Sequence, residues 1–118
     1  MKSYKEEFSL ATRIAEAEKM KQKNPSGVPV IVEKAAHARL PPLDKKRYMA
    51  LRDQTVGQFY QQIRKRIKLR PEEALFFFVK NTIPSTMMTM AQLHDAYKEE
   101  DDCVYLVYSD ESVYGDKK

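Results

Sequence analysis

Apolar positions in this chain recur at two spacings, and the change from one to the other outlines the fold. In residues 10–21, Leu10, Ile14, Ala17 and Met20 stand three or four apart with charges between them, the period of a helix with one buried stripe. Asn24-Pro25-Ser26-Gly27 ends that pattern, because proline and glycine both break helices. Residues 28–32, VPVIV, are β-branched and continuously apolar, so they predict a strand, with Pro29 placing its start at an edge or bend. After a polar connection over 41–46, residues 47–51 (RYMAL) predict a second strand.

Thr55 followed three residues later by Gln58 forms a capping box, and Val56, Phe59, Tyr60, Ile63 and Ile67 then recur at helical spacing. The other face of that helix carries Arg64, Lys65, Arg66 and Lys68, and Pro71 lies beyond its end. Residues 75–79, LFFFV, predict a strand buried on both faces. Residues 87–97 predict a short helix with Met90, Leu93 and Tyr97 on one side, and 104–108 (VYLVY) a closing strand. This order suits an α+β sheet covered on one face, and equally a ubiquitin-like β-grasp preceded by a helical extension.

A chain of 118 residues makes one domain. The expected division is a helical extension over 1–25, a core over 26–110 and a C-terminal tail over 111–118. The single cysteine, Cys103, excludes an intrachain disulfide and leans towards a reducing compartment. No stretch reaches the ~18 apolar residues of a membrane span, and the first ten residues lack the apolar core of a signal peptide. These features predict a soluble cytosolic protein.

The net charge of +4 conceals an asymmetry, with 17 Lys+Arg against 7 Asp+Glu in residues 1–70 and 4 against 10 in the rest. Such separation suits a basic surface that attracts acidic partners or anionic membrane, or else polarised solvated faces. Residues 64–68 resemble a nucleic-acid stripe, but the neighbouring aromatics lie on the opposite helical face and are needed for the core. No nucleic-acid partner is expected. Cys103 with His94 or His37 has no nucleophile signature around it, and two histidines and one cysteine make a poor metal site. Residues 99–102, EEDD, read as a solvated turn.

The segments VPVIVEKA (28–35), LDKKRY (43–48), TVGQFY (55–60), IRKRI (63–67), ALFFFV (74–79) and YSDESVYG (108–115) resemble the autophagy ubiquitin-like modifiers, especially the GABARAP branch. The resemblance implies a β-grasp core with two N-terminal helices packed on it, so that residues 3–7 form a first helix invisible to periodicity. It also implies a substrate of enzymes that is not itself one. A dedicated cysteine protease trims the tail, activating and conjugating enzymes carry the chain, and Gly115 forms an amide with phosphatidylethanolamine, with no other cofactor. The expected form is a cytoplasmic monomer with a pool bound to autophagosomal membrane. Its expected partners are cargo receptors and adaptors with acid-flanked aromatic-x-x-aliphatic motifs, with microtubules as a further candidate.

Gly115 suits that chemistry because its carbonyl must be approached by thiolates and then by an amine, and Asp116-Lys117-Lys118 would be the removable tail. The second expected site is the strand over 47–51, to which an extended peptide can add through main-chain hydrogen bonds. By resemblance, Glu16, Met20, Pro29, Ile31, Arg47, Met49 and Cys103 line a pocket for the motif's aromatic residue. Tyr48, Ala50, Leu51, Phe59 and Ile63 line one for the aliphatic residue, and Lys45, Lys46 and Arg66 attract the flanking acids. Gly27, Leu51, Gln54, Gln62 and Cys103 depart from the residues usual in the family at those positions, which makes the second pocket more polar.

Overall fold

The computed structural model describes residues 2–112, so Gly115 and the three residues after it lie outside the described region. The helix over 3–7 is present as Tyr4–Glu7 (α1). Ser3 caps it by accepting from the Glu6 amide, and the Glu6 carboxylate accepts from the Ser3 amide in return. It is a single turn, too short for any period to register. Leu10–Lys23 forms α2, capped by Ser9 and running two residues past the expected end, to the Asn24 cap.

Four strands follow: β1 (Gly27–Lys34), β2 (Arg47–Leu51), β3 (Phe76–Phe78) and β4 (Val104–Ser109). They lie in the order β2-β1-β4-β3, with β1 and β4 parallel at the centre and the two outer pairings antiparallel. The expectation that the Pro29 strand begins at an edge is half met. β1 is central, but Gly27, Val28 and Pro29 pair only with β2, and β4 joins from Val30 onwards. The proline therefore precedes the stretch where both sides of the strand are paired. β3 is one residue shorter at each end than expected and sits on the sheet edge away from β2.

Two helices fill the remaining connections. Val56–Arg66 is α3, with the Thr55 and Gln58 capping box in place. Met90–Tyr97 is α4, which starts three residues later than expected because Thr89 and Gln92 form a second capping box of the same spacing. The two caps adjoin across a Thr55–Thr89 bridge, where the Val56 amide donates to the Met88 carbonyl and the Met90 amide to the Gln54 carbonyl, each at 2.7 Å.

The sheet is covered on both faces, which corrects the one-face expectation. Val28, Val30 and Val32 of β1 pack with Ala50, Val104 and Leu106, with Val56, Phe59 and Ile63 of α3, and with Met90 and Leu93 of α4. Ile31, pointing the other way by the period-2 rule, joins Tyr4 of α1, Ala17 of α2 and Cys103 in a second, smaller cluster. The apolar stripe of α2 is what closes that face.

A correction concerns residues 99–102. Asp101 is not solvated. Its side chain is fully buried, accepting from Arg13 Nη1 at 3.1 Å, from the Cys103 amide at 3.0 Å and from the Tyr105 hydroxyl. Burying a carboxylate is tolerated when its oxygens are paired and hydrogen-bonded, and three donors do so here. Lys21 meets Asp102 at 2.5 Å and Lys5 meets Glu99, so α1 and α2 are tied to the α4–β4 loop by three ion pairs. Asp101→Ala leaves the Cys103 amide and the Tyr105 hydroxyl without their acceptor and Arg13 without its counter-ion. The expected loss is about 3 kcal/mol, read from urea unfolding. An equal loss in Arg13→Ala/Asp101→Ala, beyond that of Arg13→Ala alone, would show that the ion pair matters less than the backbone bond.

Candidate functional site

Among the described residues β2 pairs with β1 alone and is an edge of the sheet. Its alternate side chains face two different surfaces. Arg47 and Met49 share the face of Ile31 and Pro29, their partners in register, and look towards α2, while Leu51 at the end of the strand pairs with Gly27 and borders the groove beside α3. Tyr48 and Ala50 look towards α3, in the main core cluster.

On the α2 side, Arg47 Nη1 meets Glu16 Oε1 at 2.8 Å and bridges strand to helix. Met20 lies one turn after Glu16 and is half-buried. Pro29 is buried, and Ile31 and Cys103 are 0% and 1% exposed, so they form the base of this surface. The Cys103 thiol is pushed up to about 12 by burial first and then by the Asp101 and Asp102 carboxylates. His94 does not meet it: Nε2 of that ring is 2.9 Å from the Asp102 carbonyl and 3.2 Å from the Asp102 carboxylate.

On the α3 side an open groove of ≈ 450 Å³ is lined by Tyr48, Phe59, Gln62, Ile63, Lys65 and Arg66. Its floor is apolar, with Phe59 and Ile63 nearly fully buried and the Tyr48 ring set edge-on to Phe59 at 6.2 Å. Ala50, expected here, is 2% exposed and belongs to the core beneath. Leu51 is 63% exposed and stands at the adjoining groove, ≈ 590 Å³, with Asp53, Gln54, Gln58, Gln61 and Gln62. The structure therefore brings Gln54 and Gln62 together with three polar neighbours not expected there. Their signal was present in the sequence: residues 54, 58, 61 and 62 repeat at three and four, the spacing of one exposed helical face.

Cations flank the β2 edge, and most already have partners. Arg66 makes a two-pronged bond to Asp44, at 2.8 and 2.9 Å, which holds the Asp44 carboxyl below its ordinary range. Lys46 Nζ donates to the Lys2 carbonyl at 2.8 Å and lies 3.3 Å from Glu33. Lys45 Nζ and the Arg66 guanidinium stand 4.9 and 5.6 Å from the Tyr48 ring centre, on a tyrosine whose ionisation burial pushes up and Arg66 opposes. Arg64 of the basic stripe is turned to the Glu73 and Arg70 carbonyls. Among the described residues no group of three or more His, Cys, Asp or Glu could hold a metal ion, and no helix is long and apolar enough to cross a membrane.

Residues 12–115 match the family described as autophagy protein Atg8, ubiquitin-like. The chain belongs to the ATG8 family. Among solved structures, Trypanosoma brucei ATG8 is 33% identical with a TM-score of 0.88, over 98% of this chain and 99% of that one. Plasmodium falciparum Atg8, solved in complex with a Plasmodium falciparum Atg3 peptide, is 34% identical with a TM-score of 0.86, over 96% and 99%. The fold of this ATG8-family chain, with its two N-terminal helices on a four-stranded mixed sheet, is the one those relatives share.

The buried thiol gives a direct prediction. With its ionisation pushed up to about 12, Cys103 holds about one thiolate in 10⁴ at pH 8, and the fold also blocks access. The native protein is expected to leave a thiol-reactive disulfide reagent unconsumed over an hour and to consume one equivalent once unfolded in guanidinium.

Proposed function

We propose that this chain is a ubiquitin-like modifier of autophagy, processed after Gly115 and conjugated through that glycine to phosphatidylethanolamine on autophagosomal membranes. It acts there by recruiting receptors and adaptors that carry acid-flanked aromatic-x-x-aliphatic motifs. It is a substrate of a processing cysteine protease and of activating and conjugating enzymes, and it catalyses nothing itself. The observation that carries the reading is the combination of a free β2 edge between two side-chain surfaces with family membership that runs through Gly115. The Plasmodium relative's complex with an Atg3 peptide supports a conjugating enzyme as one partner of this chain.

The extended partner adds a strand beside β2, its aromatic residue on the α2 side near Glu16, Met20 and Met49 and its aliphatic residue on the Phe59–Ile63 floor. Partner acids meet Lys45 first, since Lys46, Arg47 and Arg66 are held by Glu33, Glu16 and Asp44. Those three pairs are exposed enough to exchange partners at little cost, because surface ion pairs contribute ~0–1 kcal/mol. The double change Lys45→Glu and Arg47→Glu is expected to weaken an acidic motif peptide about tenfold, with the difference shrinking as salt rises. Calorimetry at two ionic strengths measures both effects.

Lipidation is tested by reconstitution with the activating and conjugating enzymes and phosphatidylethanolamine liposomes. A chain ending at Gly115 is expected to be conjugated directly. The full chain carrying Gly115→Ala is expected to melt within about 1 °C of wild type and to be neither trimmed nor lipidated, because a methyl there misplaces the reacting carbonyl. A truncated chain that stays unlipidated while an established family member is modified in the same reaction would leave an unconjugated peptide- or tubulin-binding adaptor as the better account.

A further inference from the structure

Gly27 pairs with Leu51 at the start of β1, is buried, and has a φ outside the left-handed region, so its lack of a side chain is a matter of space. A β-carbon at this position would lie 2.5 Å from Met49 Cγ, 2.6 Å from Met49 Sδ and 3.2 Å from the Asn24 carbonyl oxygen. The thioether of Met49 thus fills the volume that any other residue at 27 would claim.

The direction of that lean matters. Met49 pairs with Pro29, and the next pair on the same face in one direction is Gly27 with Leu51, while in the other it is Ile31 with Arg47. Lying over Gly27, Met49 points away from the Arg47–Glu16 bridge, the stretch between β2 and α2 where a partner's aromatic ring would sit. Methionine suits such a part, being unbranched, flexible and able to contact a ring through sulfur.

Building on the peptide-docking reading above, we propose that Gly27 is a niche that parks the Met49 side chain and so keeps the aromatic subsite beside Arg47 and Glu16 free for a partner's indole or phenyl ring. Gly27 is a positioning residue that acts through Met49. Any side chain at 27 drives Met49 out of the niche and back towards the subsite. The largest aromatic residue, tryptophan, suffers most from the lost volume.

The test uses the full chain and two acidic peptides that differ only in Trp or Phe at the aromatic position, titrated by calorimetry. Gly27→Ala is expected to weaken the Trp peptide about fivefold or more, and the Phe peptide less. In a Met49→Ala background, the same Gly27→Ala change is expected to alter affinity less than about twofold, since no thioether remains to be displaced. An unchanged Trp affinity in Gly27→Ala overturns the proposal. So does an equal loss in both backgrounds, which would assign the effect to the Asn24 carbonyl or to strand pairing. A second measurement needs no variant: in wild-type protein with labelled methionine methyls, Met49 is expected to show cross-relaxation to the Gly27 α-protons, and its absence also overturns the niche. If wild type binds neither peptide while that cross-relaxation is present, the docking reading fails, and with it the part assigned to the niche in binding.

Discussion

Everything on the α2 side of the sheet depends on one buried carboxylate. Asp101 sits in the turn between α4 and β4 and gathers a guanidinium from α2, a hydroxyl from β4 and the amide of Cys103. Take it away and the helix that walls one side of the β2 edge loses its central tie, while the Tyr105 hydroxyl is left without its acceptor and Arg13 without its counter-ion. Lys5 of α1 and Lys21 of α2 flank that tie with exposed pairs to Glu99 and Asp102, which contribute little singly. Part of the charge separation between the two ends of the chain is therefore satisfied inside the molecule, basic helices against an acidic loop.

What remains of the basic surface frames the β2 edge. There three of the cations are already engaged: Arg47, Lys46 and Arg66 each lean on a carboxylate of their own chain, while Lys45 stands over the Tyr48 ring. In the proposed docking, an acidic partner would compete with these internal acids and gain only the difference, so charge near the edge would select and orient it more than tighten binding. Under that proposal the tightness would come from apolar contact, and the two sides differ in what they offer. The α3 side has a buried floor of Phe59 and Ile63 beside a rim of glutamines, while the α2 side has a methionine lying over a glycine.

Elements stabilised by short-range signals were legible in the sequence. The Thr55 cap and the stripe from Val56 to Ile67 define α3 to within a residue, and the apolar runs locate all four strands, because each signal and the structure it specifies share a single segment. α4 was displaced by three residues because apolar Met87 and Met88 extend its stripe backwards, whereas Thr89 sets the true start. Asp101 was illegible for a different reason: its neighbours in sequence are acids in a turn, and its partner Arg13 is 88 residues away. Periodicity alone also gave no sign of the cover on the second sheet face, which the family resemblance implied, since one buried Ile31 among valines gives no periodic signal. At the β2 edge the residue types suggested the surfaces, but which cations are free and where Met49 lies are settled by contacts across strands and helices.

The ties that hold the N-terminal helices span 81 to 94 residues of sequence, and the central sheet pairing joins β1 to the last strand. During synthesis the first quarter of the chain must therefore wait for almost the whole remainder before it has anything to dock on. Until β4 emerges, α1 and α2 have neither Asp101 nor Cys103 beneath them, and β1 lacks one of its two neighbours. Such long-range closure makes for slow folding and leaves an apolar β1 uncovered on a growing chain. The cations of α1 and α2 that clasp the acidic loop in the folded chain, Lys5, Arg13 and Lys21, have no such carboxylates to meet until that loop has been made.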